Sequence, residues 1–173
     1  MGPRATKRSA TLQAYLSGGM EYADGEGALW RSELHGWIEK NLAHHVFNPN
    51  VKSDEFLSKH YAGVDFRQLR SKDLDRYRNI VQKIIELDCT EIARRSDYVV
   101  CYWDESAQRG AGTKGELTIA RYFQKPVYLV TGLNLSEIPS WVLGCASRIF
   151  DSFSGLKQYL LKEYRRNPSL GAK

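Results

Sequence analysis

One uninterrupted apolar run near the middle of the chain constrains the fold most. Residues 97–103 read DYVVCYW, a mixture of β-branched and aromatic side chains without the polar alternation of a half-exposed strand. Such a run is typical of a central strand in a parallel sheet, because helices cover that strand on both faces. Its apolar part is far shorter than the roughly 20 residues that span a bilayer. We therefore expect a buried parallel strand and no association with membranes.

Strands alternate with helices along the rest of the sequence. We predict four further strands, at Gln13–Ser17, His45–Asn48, Pro126–Thr131 and near Arg148–Phe150. Apolar residues at helical spacing predict helices over Ala28–Ala43, 71–93, Thr113–Phe123 and Ser154–Arg165, with a short helix over Asp54–Tyr61. Loops are expected after that short helix, over Asp104–Gly112, and between the last two strands. This alternation predicts an α/β, Rossmann-like or flavodoxin-like three-layer sandwich with a five-stranded parallel sheet. The strand order 2-1-3-4-5 is inferred from this fold class.

The length of 173 residues favours one domain, which we place at residues 11–166 between a basic tail at 1–10 and a second tail at 167–173. The net charge of +5 comes from the ends of the chain: residues 1–10 carry +3 and residues 157–173 carry +4, leaving −2 between them. A folded basic face is therefore not expected, and neither is binding to nucleic acid. An apolar stretch typical of a secretory signal does not follow the basic N-terminus, so we expect a cytoplasmic protein.

The three cysteines, Cys89, Cys101 and Cys145, are odd in number and widely spaced. This usage fits buried thiols in a reducing compartment. None of the four histidines has a partner at a usual metal-ligand spacing. We expect no structural metal and no cofactor.

Two glycine-rich segments, Ser17–Gly27 and Asp104–Gly115, follow the first and third predicted strands. In open parallel sheets, ligands bind beyond the carboxyl ends of the strands, at the point where the strand order reverses. With the order 2-1-3-4-5, that point lies between these two strands. The sequence therefore predicts a ligand site formed by the two segments.

Three side chains near this point could carry chemistry. Glu116 lies near the start of the helix after the second glycine-rich segment, where acids are also common as partners of the helix dipole. Asp88 lies on an apolar helix stripe, where it is either half-exposed or buried for a reason, since burying an unpaired carboxylate is costly. Tyr15, near the end of the first strand, either points its hydroxyl into the crevice or packs in the core.

Short segments in a fixed order resemble a known family. They are Tyr15-Leu16-Ser17-Gly18-Gly19, Trp30-Arg31, Asn48-Pro49, Asp88, Ser96-Asp97-Tyr98-Val99-Val100, Gly112-Thr113-Lys114-Gly115-Glu116-Leu117 and Lys125-Pro126-Val127. Between about Leu12 and Val130, the sequence resembles the nucleoside 2-deoxyribosyltransferase-like superfamily, which includes deoxynucleoside 5′-monophosphate N-hydrolases.

The resemblance implies an activity and three catalytic roles. Glu116 would be the nucleophile that attacks the anomeric carbon of a (deoxy)nucleoside or its 5′-monophosphate and forms a glycosyl-enzyme intermediate. A second base or water would resolve this intermediate. Asp88 would handle the proton or contact the base, and Tyr15 would orient the nucleophile by a hydrogen bond.

The resemblance and the glycine-rich segments together give the candidate substrate-binding residues. They are Ser17, Gly18, Gly19, Met20, Arg31, Asp104, Ser106, Arg109, Gly112 and Thr113. Arg31, Arg109 and Lys114 would suit a phosphorylated substrate, with Arg109 and Lys114 as plain loop charges in the alternative interpretation. By the resemblance, Ser17 and Ser106 are candidates for phosphate contacts. The sequence departs from the family at Gly110, where transferases often carry another aspartate.

Three other functions are alternatives to this activity. The domain could cleave another N-riboside, such as a nicotinamide dinucleotide, or it could be a non-catalytic nucleotide-binding or sensing module. The basic tails could instead serve a nucleic-acid accessory. The resemblance also implies a homo-oligomer, with Trp141 and Val142 as interface or lid residues unless they pack in the core.

Overall fold

The computed structural model describes residues 11–166, and its centre is one parallel sheet. Its five strands are β1 (Gln13–Gly18), β2 (His45–Phe47), β3 (Tyr98–Tyr102), β4 (Val127–Val130) and β5 (Arg148–Phe150). Their order is β2-β1-β3-β4-β5, and all four neighbouring pairs are parallel. The apolar run forms the central strand β3, whose first four residues are buried. The predicted fold class and strand order are confirmed.

Eight α-helices in residues 11–166 cover the sheet. They are α1 (Ala28–Leu42), α2 (Pro49–His60), α3 (Phe66–Lys72), α4 (Leu74–Arg94), α5 (Glu105–Arg109), α6 (Gly112–Tyr122), α7 (Ser140–Cys145) and α8 (Phe153–Arg166). One buried cluster joins one face of the sheet to α4, α6 and α7. A second cluster joins the opposite face to α1 and α8. These three layers leave the carboxyl ends of the strands free to form a site.

The structure corrects the sequence prediction at four places. Helix α2 begins at Pro49, five residues before the predicted start, because the Asn48 side chain caps it and proline suits the first helical position. Helices α3, α5 and α7 lie in segments predicted as loops. They contain seven, five and six residues, too few for a helical repeat of apolar residues to stand out.

The structure separates the two residues expected at an interface or lid. Val142 is fully buried in the core, whereas Trp141 is 67% exposed. The expectations for the basic N-terminal tail and for residues 167–173 lie outside the described residues. Across residues 11–166, every helix is too short or too polar to cross a membrane.

Candidate active site

The candidate site is built on the end of β1. Successive side chains of a strand point to opposite faces, so Tyr15 and Ser17 share one face while Leu16 lies on the other. Tyr15 packs in the cluster that includes Leu117 of α6, and Leu16 packs in the cluster on the opposite face. The alternation in β1 therefore directs two hydroxyl groups toward α6.

These two hydroxyl groups hold the Glu116 carboxylate. The Tyr15 hydroxyl donates to Oε1 of Glu116 at 2.8 Å, and the Ser17 hydroxyl donates to Oε2 at 2.5 Å. Burial raises the pKa of Glu116, while the hydrogen bonds from Ser17 and Tyr15 and the positive charge of Arg31 oppose that rise. The carboxylate is thus fixed at both oxygen atoms.

Asp88 of α4 is a second carboxyl group in a different environment. Its Oδ1 atom is buried and has no hydrogen-bond partner among residues 11–166. Burial and the negative charge of Glu116 raise the pKa of Asp88 to about 8, and the Tyr15 hydroxyl opposes this effect. Asp88 therefore carries a proton through most of the neutral pH range.

Tyr15 is suited to remain a hydrogen-bond donor. Its side chain is fully buried, and its ring stacks on Phe47 with 5.2 Å between the centroids. Burial and the charges of Glu116 and Asp88 raise the pKa of Tyr15 well above its ordinary value. The hydroxyl therefore keeps its proton at neutral pH.

Arg31 is fully buried beneath the loop that follows β1. Its guanidinium group donates five hydrogen bonds of 2.8–3.4 Å to backbone carbonyl oxygens, those of Leu16, Gly18, Gly19, Glu26 and Gly27. These contacts bind the guanidinium to its own loop and stabilise the loop's conformation. The structure therefore gives Arg31 a role in shaping the site and leaves it no exposed surface for a substrate phosphate.

The same loop packs tightly against the start of α5. A Cβ atom on Gly19 would lie 2.0 Å from Ser106 Oγ and 2.8 Å from the Ala107 backbone nitrogen. Ser106 donates to the Asp104 carboxylate, which also caps α5 by accepting from the Ala107 N–H. Asp104 and Ser106 thus already hydrogen-bond each other at the end of β3.

The two other cations proposed near the substrate also have partners. The guanidinium group of Arg109 lies over the Tyr22 ring, 4.4 Å from its centroid. The Lys114 amine donates to the Gln108 carbonyl oxygen at 2.8 Å. Arg109 nevertheless remains exposed.

Two of the cavities beside the loop contain some of the candidate residues, whereas Glu116, Tyr15, Ser17 and Arg31 line neither of these two. The first, of about 720 Å³, reaches Asp88 and is lined by Met20 and by residues of α2, α3 and α4. The second, of about 550 Å³, is lined by Asp104, Ser106 and Arg109. Tyr22 lines both cavities.

Several candidate residues lie outside the cavity walls. Gly18 and Gly19 form the base of the loop, Gly112 is exposed at the start of α6, and Thr113 is buried in its first turn. Residues 11–166 contain no group of three His, Cys, Asp or Glu side chains arranged to hold a metal ion.

The wall of the first cavity includes residues that sequence reasoning missed. Phe66 and Tyr77 line it, and their rings stack with centroids 4.9 Å apart. Leu57, Val64 and Ile84 also contribute apolar side chains to this wall. Residues 56–66 are rich in aromatic and aliphatic side chains, and this density could have indicated an apolar wall. The segment shows no clear helical or strand periodicity, because it contains the end of α2, a turn and the start of α3.

Comparison with known proteins relates the fold to a nucleoside-processing enzyme. No protein-family model matches the sequence, and no curated protein sequence matches it significantly. Among solved structures, the chain is similar to the 2-deoxyribosyltransferase of the psychrotolerant bacterium Bacillus psychrosaccharolyticus, with a TM-score of 0.58 and 16% identity. The likeness covers 85% of this chain and 91% of that chain. At this identity it shows the fold: the protein shares the α/β architecture of a 2-deoxyribosyltransferase.

Proposed function

We propose that this protein is an enzyme that cleaves or exchanges the N-glycosidic bond of a (deoxy)nucleoside or its 5′-monophosphate. The arrangement of Glu116 and Asp88 carries the proposal. One carboxylate accepts two hydrogen bonds, and the neighbouring carboxyl group has a pKa of about 8. Two carboxyl groups with such different environments can divide the roles of nucleophile and acid. The 2-deoxyribosyltransferase fold supports the same class of reaction.

In the first half of the reaction, Glu116 attacks the anomeric carbon of the sugar. The new bond joins a carboxylate oxygen to that carbon, and the base leaves with the electron pair of the broken C–N bond. Asp88 donates a proton to the departing base, because a protonated base is a better leaving group. In the second half, water or another base bonds to the anomeric carbon, and the bond to Glu116 breaks and returns its electron pair to the carboxylate. Asp88, now deprotonated, accepts the proton of the attacking group.

The first cavity is a suitable binding site for the base of the substrate. Asp88 lines it, and the stacked rings of Phe66 and Tyr77 contribute to its wall. A planar heterocycle favours such an environment, because aromatic rings attract one another beyond the area that they bury. The base would occupy this cavity while the sugar faces Glu116.

The test of Glu116 is base release from deoxynucleosides and their 5′-monophosphates, measured by chromatography with and without an acceptor base. We expect Glu116→Gln to abolish both hydrolysis and exchange, because the amide is not a nucleophile. Glu33→Gln, which changes an exposed glutamate of α1 that lines neither cavity, serves as the matched control and should remain active. Binding of these ligands without base release from any of them would contradict the proposal and favour a sensing module.

The test of Asp88 compares a substrate whose base must be protonated before it leaves with a substrate whose base needs no proton. We expect Asp88→Asn to lose about 10²–10⁴-fold in base release from 2′-deoxyadenosine, the range typical of general acid catalysis. The variant should retain activity on 7-methyl-2′-deoxyguanosine, whose base already carries a positive charge. Equal losses on both substrates would exclude Asp88 as the acid.

A further inference from the structure

We propose that Ser17 is a positioning residue that holds the Glu116 carboxylate in its reactive orientation, an inference that rests on the proposed nucleophilic role of Glu116. The Ser17 side chain is fully buried, so its hydroxyl group is not open to a ligand in solution. Its hydroxyl group donates the 2.5 Å hydrogen bond to Oε2 of Glu116 and also contacts the Cys101 thiol. This geometry favours a partner of the nucleophile over a contact with a substrate phosphate.

The backbone around Ser17 is fixed from two directions. Ser17 lies opposite Cys101 in the parallel register of β1 and β3. Arg31 donates hydrogen bonds to the carbonyl oxygens of Leu16 and Gly18, the two neighbours of Ser17 in the chain. The strand therefore cannot turn easily at this residue, and the hydroxyl group is held in place before any substrate binds.

A single donor would leave the Glu116 carboxylate free to rotate. The terminal torsion of a glutamate is broad, so a hydrogen bond from Tyr15 to Oε1 alone permits several orientations of Oε2. The bond from Ser17 to Oε2 removes this freedom. Each oxygen keeps a second lone pair, so the clamped carboxylate can still attack the anomeric carbon.

The two donors also favour the ionised form of the buried carboxyl group. Burial raises the pKa of Glu116, and the hydrogen bond from Ser17 is the largest effect opposing that rise. Without this donor, more of the protein would hold a protonated Glu116, which is a poor nucleophile. Ser17 would thus control both the orientation and the charge of Glu116.

The decisive experiment titrates the Glu116 carboxyl carbon by ¹³C NMR, assigning its signal from its absence in Glu116→Gln. Loss of a hydrogen bond to a charged acceptor should raise the pKa of Glu116 by about one to two pH units in Ser17→Ala. The hydroxyl of Ser17→Thr should restore much of this effect. Ser96→Ala is the matched control, because Ser96 is also fully buried and its hydroxyl has no partner in the described part of the chain.

Steady-state kinetics provide the second measurement. We expect kcat of Ser17→Ala to fall by at least about tenfold with KM nearly unchanged, since the lost contact acts on the reacting group. The acidic limb of the pH profile should move upward together with the pKa of Glu116. An unchanged pKa in Ser17→Ala would overturn the proposal, even if kcat fell through a structural effect.

The two measurements separate this inference from the proposed function. If the wild-type protein releases no base, the proposed function fails. The nucleophilic role of Glu116, on which the positioning role of Ser17 rests, then fails as well. The titration would then report only whether Ser17 holds the carboxylate. If Ser17→Ala does not fold, as judged by circular dichroism, Ser17→Cys replaces it as a size-matched variant with a weaker donor. The pKa of Glu116 in Ser17→Cys should also exceed its value in the wild type, and an unchanged pKa would again overturn the proposal.

Discussion

Burying a carboxyl oxygen without a hydrogen-bond partner destabilises a folded protein, and Asp88 contains such an oxygen. One of its oxygen atoms is buried and unpartnered within residues 11–166. Its folded-state pKa of about 8 lies far above the value of 3.8 for a free aspartate. Between these two pH values, Asp88 is therefore protonated in the folded protein and ionised in the unfolded chain. Stability should consequently fall as the pH rises from about 4 to about 8.

Asp88→Asn should therefore stabilise the protein while reducing its activity. At pH 8 we expect its free energy of unfolding to exceed that of the wild type by about 1–3 kcal/mol, because the amide carries no charge to bury. The gain should shrink toward pH 4, where Asp88 is protonated in both states. Urea denaturation at several pH values measures it, with Glu86→Gln, an exposed acid of the same helix, as the control. A gain that does not depend on pH would contradict the assigned pKa.

The sequence allowed Tyr15, Asp88 and Glu116 to be singled out, but not their partners. Their residue types and positions at strand and helix ends carry the signal, and the family resemblance supplied their roles. The contact between Ser17 and Glu116 joins residues 99 positions apart, so no local pattern indicates it. Burial of Arg31 against backbone carbonyls was equally hidden, since an arginine after an acidic loop usually remains in solvent.

At the scale of elements, the loop between β1 and α1 depends on an internal arginine for its shape. Gly25, Glu26 and Gly27 all have positive φ angles, between 53° and 67°. Glycine adopts this region readily, but glutamate does so at a cost. The Arg31 guanidinium group donates hydrogen bonds to the carbonyl oxygens of Glu26 and Gly27 and thereby stabilises this unusual backbone conformation.

We expect Arg31→Met to destabilise the protein by about 3–5 kcal/mol, because buried carbonyl groups would lose charged donors. Arg67→Met provides a matched comparison. Arg67 forms an ion pair with Glu26 of the same loop, but its side chain is 75% exposed, so its loss should cost less than about 1 kcal/mol. Chemical denaturation distinguishes the two variants. Similar losses in both would show that the loop is held mainly by surface charge.

The long elements were predictable from sequence and the short ones were not. Strand β3 stands out as a continuous apolar run, and α4 has enough turns for its apolar spacing to be visible. Helix α5 has only five residues and is capped by Asp104, a contact that resembles an ordinary loop turn in the sequence. The wall of the first cavity was missed for the same reason, because α2 and α3 are separated by a turn.

For the whole molecule, an exposed aromatic surface on α6 and α7 favours self-association. Trp141 is 67% exposed, and its indole N–H donates to Thr118 of α6. Tyr122, one turn after Thr118, is 79% exposed, and Phe123 is 48% exposed. Exposed apolar patches of this kind mark interaction surfaces in soluble proteins.

We predict that the protein forms a homo-oligomer through this surface. Trp141→Glu should shift it to a smaller species in sedimentation velocity, because a carboxylate is costly to bury in an apolar contact. Leu74→Glu is the control, since Leu74 is 57% exposed but lies at the start of α4. A wild-type protein that sediments as a 19.8 kDa monomer at all concentrations would contradict the prediction.

The close approach of Gly19 to α5 also limits how this sequence can vary. Removing the Ser106 hydroxyl group would relieve the nearest contact of a Cβ atom at position 19, but the Ala107 backbone nitrogen would remain only 2.8 Å away. No single compensating substitution can therefore admit a larger residue at position 19, because the helix itself would have to move. Among descendants of this chain, glycine at 19 and the short helix after β3 should be inherited or lost together.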